Sequence, residues 1–141
     1  MKKILLLGAL LSGAATAEEK VLLMDQLPHF VGDTVRVGDM SYALYPDRPC
    51  ELPIVHAKDM RAGYAQYGDG QHKLCWGLTL RRNVVIVDDL GDSEPPYPLD
   101  IYRQAELRGS GTAVITKSMD NRNDYEPCPQ LGHDRWCRKT P

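Results

Sequence analysis

The chain has 141 residues, a formal net charge of −2 and a 43% hydrophobic content, which is typical of a globular protein rather than a disordered segment. A mildly acidic chain argues against nucleic-acid binding, because contact with phosphates needs a concentrated basic face. The length suits one ordinary domain and is too short for two.

The first 17 residues predict an export signal. Lys2 and Lys3 precede a short apolar run over residues 4–11, and Ala15-Thr16-Ala17 supplies the small residues that a signal peptidase accepts. The run is far shorter than the ~20 residues that span a bilayer, so we expect no membrane anchor after cleavage. A periplasmic or secreted location follows.

Four cysteines lie beyond this leader: Cys50, Cys75, Cys128 and Cys137. In a short exported chain an even number of cysteines predicts disulfides, because the compartment is oxidising. Three connectivities are open, and we favour Cys50–Cys75 and Cys128–Cys137 because each pair is close in the chain. The alternative is a metal knuckle between Cys128 and Cys137 with His133, but the spacing of a zinc or redox site is absent.

The first predicted elements are a strand over 19–26 and a hairpin over 33–45. In this hairpin, apolar residues alternate on both sides of Gly38-Asp39, a pair that suits a tight turn and places Val37 opposite Met40. From Val55 to Tyr67, apolar residues recur at three- and four-residue steps, which predicts one short helix.

A second hairpin is predicted over 71–90, with Trp76 on one face and Cys75 on the other. Its second half contains the apolar run 84–87, which predicts a central, buried strand. Three prolines over 95–98 restrict the following segment to a sheet edge. A further strand is predicted over 112–116.

These elements predict an α+β fold, in which a small twisted antiparallel β-sheet carries one short helix on the Cys75 face and two disulfides stabilise the whole. We expect a signal peptide over 1–17, a single α+β domain over 18–120 and a disulfide-closed C-terminal tail over 121–141.

Residues 50–102 contain a characteristic series of features. It begins with a cysteine before the predicted helix and continues with Cys75-Trp76, the apolar 84–87 strand, an Asp-rich turn and a proline-containing return strand. In this order of features the chain resembles small uncharacterised exported proteins of proteobacteria and their prophages. The resemblance implies an exported protein and carries over no catalytic residue.

Candidate catalytic and metal-binding residues do not form a recognised motif. The histidines (His29, His56, His72 and His133) lack ligand spacing, and the acids Asp88, Asp89, Asp92 and Glu94 lack the order of a calcium-binding EF-hand loop. Ser110 lies directly between two glycines and does not form the nucleophile elbow. We therefore predict no catalytic, cofactor-binding or metal-binding residues and no cofactor.

Aromatic composition gives the best functional indication. Seven tyrosines and two tryptophans accompany one phenylalanine, and such amphipathic rings suit recognition surfaces as well as small cores. We expect a soluble exported binding or inhibitory module without catalysis, with a protein partner in the cell envelope. Blocking an envelope enzyme or excluding a competing phage would fit the resemblance to exported and prophage proteins. We expect the recognition surface to include tyrosines near Pro95–Pro98 or in the cysteine-bearing tail. The alternatives are a cell-wall or carbohydrate-directed hydrolase using the four acids, and a structural envelope component.

Overall fold

The computed structural model describes residues 18–128 and 135–140, and almost all regular structure in this range is β-strand. The strands are β1 (Lys20–Met24), β2 (Thr34–Arg36), β3 (Tyr42–Pro49), β4 (Arg61–Tyr67), β5 (Gly70–Leu78), β6 (Asn83–Asp88), β7 (Ser93–Pro98), β8 (Arg103–Arg108), β9 (Thr112–Lys117), β10 (Tyr125–Pro127) and β11 (Trp136–Arg138). Single 3₁₀ turns lie at Val37–Asp39, Ala57–Asp59, Leu99–Ile101, Gly109–Gly111 and Arg122–Asp124.

Nine of these strands form one antiparallel sheet in the order β2-β9-β8-β1-β3-β4-β5-β6-β7, and β10 pairs with β11 in a separate hairpin. The inner strands β1 and β3 carry apolar side chains on both faces. Val21 and Leu23 belong to one core, whereas Leu22 and Leu44 belong to a second core on the opposite face. The domain therefore has two hydrophobic cores that share one sheet as their wall.

The sheet curls around the second core. Tyr42 on β3 donates a hydrogen bond of 2.5 Å to Glu94 on β7, although β7 is the fourth strand beyond β3 in the sheet order. Four strand spacings in a flat sheet would separate these strands by about 19 Å. Strong twist and coiling therefore bring the edge strand β7 back over the centre of the sheet.

The predicted helix over 55–67 is wrong, and the fold is mainly β rather than α+β. The chain makes one 3₁₀ turn at Ala57–Asp59 and then enters β4. Within β4, Gly63 lies between Leu44 and Leu74 of the neighbouring strands, where an added Cβ would come within 2.7 Å of the Ala43 carbonyl oxygen. This tight strand packing outweighs the helical spacing of apolar residues, which had no N-cap to support it.

The predicted hairpin over 33–45 is also wrong. β2 pairs with β9 and β3 pairs with β1 and β4, so the 3₁₀ turn at Val37–Asp39 links two strands that are not partners. Val35, Val37 and Met40 nevertheless all enter the first core. The alternating pattern correctly indicated burial, but it could not identify which strand lies alongside.

The second hairpin is confirmed as β5 and β6, with Leu78 opposite Val84. In its turn, Arg82 takes a positive φ of 61°. The proline-rich segment forms the edge strand β7, and the 112–116 strand is present within β9. Strand β6 is second from the edge and buries only alternate residues, so its predicted central position is wrong.

Both favoured disulfides are present, with Cα–Cα distances of 5.3 Å for Cys50–Cys75 and 5.1 Å for Cys128–Cys137. Two disulfides fit an oxidising extracellular or periplasmic environment. Among the described residues, no helix has the length and apolar character needed to cross a bilayer. His133 of the metal-knuckle alternative lies outside the described residues. The predicted leader over residues 1–17 also lies outside them.

Replacing Gly63 with alanine tests the close approach of β3, β4 and β5. We expect Gly63→Ala to lower the free energy of unfolding by about 1–3 kcal/mol, because the new methyl group meets backbone as well as leucine side chains. The matched control is Gly77→Ala in β5, where the nearest atom is 3.9 Å away, and its effect should stay within about 0.5 kcal/mol. Urea unfolding of both variants is the measurement, and equal effects would contradict the packing argument.

Candidate functional site

An open groove with a volume of about 470 Å³ lies on the side of β3, β4 and β5 where the Cys50–Cys75 disulfide attaches. It combines two tyrosine rings with basic, acidic and amide side chains. The lining residues are Tyr45, Arg48, Pro49, Glu51, Leu52, Ala62, Gly63, Tyr64, Gln71, Lys73 and Leu74.

The aromatic part of this groove is fixed by its neighbours. Tyr45 and Tyr64 lie with their ring centroids 6.4 Å apart, and the Tyr64 hydroxyl donates to the Val37 carbonyl oxygen. The Arg48 guanidinium lies 3.8 Å from the centroid of the Tyr45 ring and binds Glu19 at 2.6 Å. Burial raises the pKa of Tyr64, so its hydroxyl remains a proton donor at neutral pH.

The opposite wall of the groove depends on the first disulfide. Glu51 and Leu52 follow Cys50 directly, and Cys75 is fully buried in β5 beside Ala62 of β4. The covalent bond therefore holds the 50–52 segment against the sheet and gives the groove a second side.

Three exposed polar side chains complete the groove, and they are Glu51, Gln71 and Lys73. None of them makes a side-chain hydrogen bond or ion pair to another described residue; Lys73 contacts Asp89 through its backbone alone, donating its N–H to Oδ2 and accepting the Asp89 N–H on its carbonyl oxygen. The groove thus offers a cation, an anion and an amide to an external molecule beside fixed aromatic rings. This combination suits recognition through a few placed polar contacts.

The four acids that suggested a hydrolase have internal partners or lie on the surface. Asp88 is 4% exposed, and its Oδ1 accepts the backbone N–H groups of Leu90 and Asp92 at 3.0 Å and 2.9 Å. Its Oδ2 accepts the Tyr67 hydroxyl at 3.2 Å. Asp88 therefore builds the β6–β7 turn, whereas the side chain of Asp92 is exposed and makes no hydrogen bond within the described chain.

Glu94 is the acceptor of a small tyrosine cluster inside the curled sheet. Tyr42 and Tyr67 donate to its Oε1 at 2.5 Å and 2.8 Å. Desolvation first, and then these bonds to Glu94, raise the pKa of both tyrosines, which therefore stay protonated. The nearby Tyr102 hydroxyl is buried without a hydrogen-bond partner among the described residues. This cluster joins β7 to β3 and β4 and occupies one oxygen of Glu94 with two tyrosine hydroxyls.

His72 lies between two carboxylates. Its Nδ1 is 2.9 Å from Asp89 and its Nε2 is 3.1 Å from Asp69, while its ring is 5.2 Å from that of Tyr67. Only the imidazolium can donate to both acids at once. The hydrogen bond to Asp89 is the largest cause of a raised His72 pKa, and the same bond lowers the pKa of Asp89. His72 is therefore a clamp between the β4–β5 and β6–β7 turns.

The remaining sequence candidates are separated from one another. His29 contacts Asp25 at 3.2 Å, His56 is exposed near Asp59, and Ser110 occupies an exposed 3₁₀ turn. Over residues 18–128 and 135–140, no group of three or more His, Cys, Asp or Glu side chains is arranged to hold a metal ion.

The tail tyrosine expected to recognise a partner is used in packing. Phe30 makes edge-on contacts with Tyr125 and Trp136, and Arg122 lies 4.3 Å from the centroid of the Phe30 ring. The Tyr125 hydroxyl also donates to Asp120. These contacts attach the β10–β11 hairpin to the domain.

A buried ion pair lies beneath that attachment. The Arg103 guanidinium binds Asp120 at 2.5 Å and donates to the Leu27 carbonyl oxygen at 2.8 Å. Burial alone would raise the pKa of Asp120, but bonds from Arg103 and the His29 N–H together lower it. Tyr97 on β7, by contrast, remains 39% exposed.

No protein-family model, curated protein or solved structure matches this chain. The groove residues also escaped the sequence analysis, because they come from three strands and a disulfide-linked loop. The excess of tyrosine was the one signal in the sequence that pointed to them.

The carboxylate pair around His72 predicts a pH-dependent contribution to stability. Because the folded pKa is raised above 6.5, the clamp contributes fully below that pH and its contribution is lost as the pH rises through the folded pKa. The difference in unfolding free energy between the wild type and His72→Gln should therefore be largest at about pH 5 and shrink towards about pH 9.

Urea unfolding at several pH values measures this difference, and His56→Gln at an exposed position is the control. The clamp would be contradicted if the difference in unfolding free energy between the wild type and His72→Gln did not change with pH. It would also be contradicted if His56→Gln showed the same decline with rising pH.

Proposed function

We propose that this chain is an exported binding or inhibitory module without catalytic activity, and that the groove between β3, β4, β5 and the Cys50 loop is its recognition surface. The observation that carries the proposal is that one open cavity of about 470 Å³ combines fixed tyrosine rings with polar side chains that have no side-chain partner among the described residues. Aromatic anchors surrounded by placed polar groups are typical of recognition sites.

The hydrolase alternative receives less support from the same geometry. A general acid or base must reach a substrate, whereas Asp88 is buried in a turn and one oxygen of Glu94 already accepts two tyrosine hydroxyls. Asp89 is held by His72. Asp88, Asp89 and Glu94 therefore stabilise turns and the curl of the sheet.

A protein of the cell envelope is the partner that fits this groove best. The groove is open, and its lining includes the exposed side chains of Glu51 and Lys73, so a protruding loop with its own charged residues could enter it. Blocking a cell-envelope enzyme by accepting such a loop, or a role in phage exclusion, agrees with the resemblance to small exported proteins of proteobacteria and their prophages.

A pull-down from periplasmic extract tests the proposal. The wild-type chain should enrich a specific partner, and Gln71→Ala/Lys73→Ala should reduce that enrichment at least about tenfold, which is the effect of losing two interface contacts of moderate strength. Both side chains are exposed and bond to no described side chain, so the fold should be kept.

The matched control is Gln66→Ala/Lys58→Ala, which removes the same residue types at exposed positions outside the groove. Equal loss in both double variants, or a partner bound equally by all three proteins, would refute the assignment of the groove. Self-association of the wild type in size-exclusion chromatography, without a partner, would favour a structural envelope component.

A further inference from the structure

The turn between β5 and β6 presents a fully exposed apolar side chain beside two cations. Leu80 has a relative exposure of 106% and is followed by Arg81 and Arg82, which are also exposed. The Arg82 N–H donates to the Thr79 carbonyl oxygen at 2.9 Å, and the Asn83 N–H donates to Thr79 Oγ1 at 3.1 Å. These bonds hold the turn in a shape that directs Leu80 away from the protein.

Further apolar surface continues from this turn along the sheet. Leu78 on β5 and Tyr97 on β7 both pair with Val84 on β6, so their side chains lie on the same face. Leu78 is 45% exposed and Tyr97 is 39% exposed, whereas Val84 between them is buried. Leu78 and Tyr97 therefore add exposed apolar surface on the strands next to the turn that carries Leu80.

A cavity of about 270 Å³ adjoins the same turn. Arg82 and Lys117 contribute cations to its lining, Met119 contributes an exposed apolar side chain, and Asp100 contributes the opposing charge. Neither cation, nor Arg81 beside them, forms an ion pair with another residue of the described chain. Arg82 and Lys117 thus line one cavity and Arg81 is next to Arg82 in the turn, in a protein whose net charge is −2.

We propose that this tip surface, formed by Leu80, Arg81, Arg82, Lys117 and Met119 with Leu78 and Tyr97 beside it, docks onto an anionic phospholipid membrane. Leu80 and Met119 enter the boundary between headgroups and acyl chains, and the cations contact lipid phosphates. The cavity beside Arg82 is large enough for one headgroup.

Shape and charge favour a membrane over an acidic peptide as the occupant. Leu80 projects from a convex turn, which can enter a soft lipid boundary but gives a peptide no apolar cleft. Tyr97 adds an amphipathic ring, a residue type that suits a membrane–water interface. The cations supply attraction for a negatively charged surface.

This docking goes beyond the proposed groove function and does not depend on it. The cavity at the tip and the groove share no lining residue. The protein could therefore lie on a membrane through the tip surface while the groove stays open to a partner.

Vesicle flotation of the purified protein tests the proposal. It should float with vesicles of phosphatidylethanolamine and phosphatidylglycerol, should not float with pure phosphatidylcholine, and should dissociate as salt is raised. Leu80→Ser should abolish flotation. Arg81→Gln/Arg82→Asn should weaken it on the order of tenfold or more, because each basic residue near an anionic surface strengthens binding about fivefold; asparagine tolerates the positive φ at position 82.

The control is Lys20→Gln/Lys58→Gln, which removes two exposed cations outside the tip surface and should leave flotation unchanged. Circular dichroism of each variant establishes that it is folded, and the salt dependence of the wild type tests the charge argument without any variant. The proposal would be overturned if the wild type did not float or bound neutral vesicles as well as anionic ones. It would also be overturned if the control variant lost as much flotation as Arg81→Gln/Arg82→Asn.

Binding of an acidic model peptide through Arg81 and Arg82, without flotation, would also overturn it and would assign the surface to peptides. The groove double variant Gln71→Ala/Lys73→Ala should float normally, so a failed pull-down and a failed flotation remain distinguishable.

Discussion

The contact between Tyr42 and Glu94 joins strands that are remote in the sheet and closes the second core of the domain. Without this curl, the face that carries Leu44 and Trp76 would be open to water along the whole half of the sheet from β3 to β7. Glu94 is partly removed from water at this position, and two tyrosine hydroxyls donate hydrogen bonds to its carboxylate. The position of β7, which carries Tyr97, depends on this closure.

Local features of the chain predicted local structure well. The β5–β6 hairpin, the proline-rich edge strand, the strand at 112–116 and both disulfides depend on turn residues, proline chemistry or short separation, and all are present. The predicted helix failed because Gly63 is needed where three strands approach closely, a constraint imposed by residues remote in sequence. The first hairpin failed because alternation indicates a buried face and not the neighbouring strand. β8 was missed because charged residues interrupt its apolar alternation at Arg103 and Glu106.

The groove was less predictable than the fold because no segment of the chain contains it. Tyr45, Tyr64 and Lys73 belong to three successive strands of the sheet, and Glu51 reaches them through a disulfide. Composition could indicate that tyrosines were available for recognition, but their positions depend on strand register. The acids show the reverse case: they lie close together in sequence, yet Asp88, Asp89 and Glu94 make three different contacts and the Asp92 side chain has no hydrogen bond within the described chain. Proximity in sequence was therefore a poor guide to shared chemistry.

Strand order also bears on how such a chain reaches its folded state. β1 comes before the other strands of the described residues in sequence but lies inside the sheet, and its Lys20 pairs with Glu106 of β8. The inner strand therefore stays without one neighbour until most of the polypeptide has been synthesised. Pairing across so long a separation is slow to nucleate, because the intervening loop must first be closed. A nascent chain with this topology cannot complete the sheet on both sides of β1 until residues 103–108 have emerged.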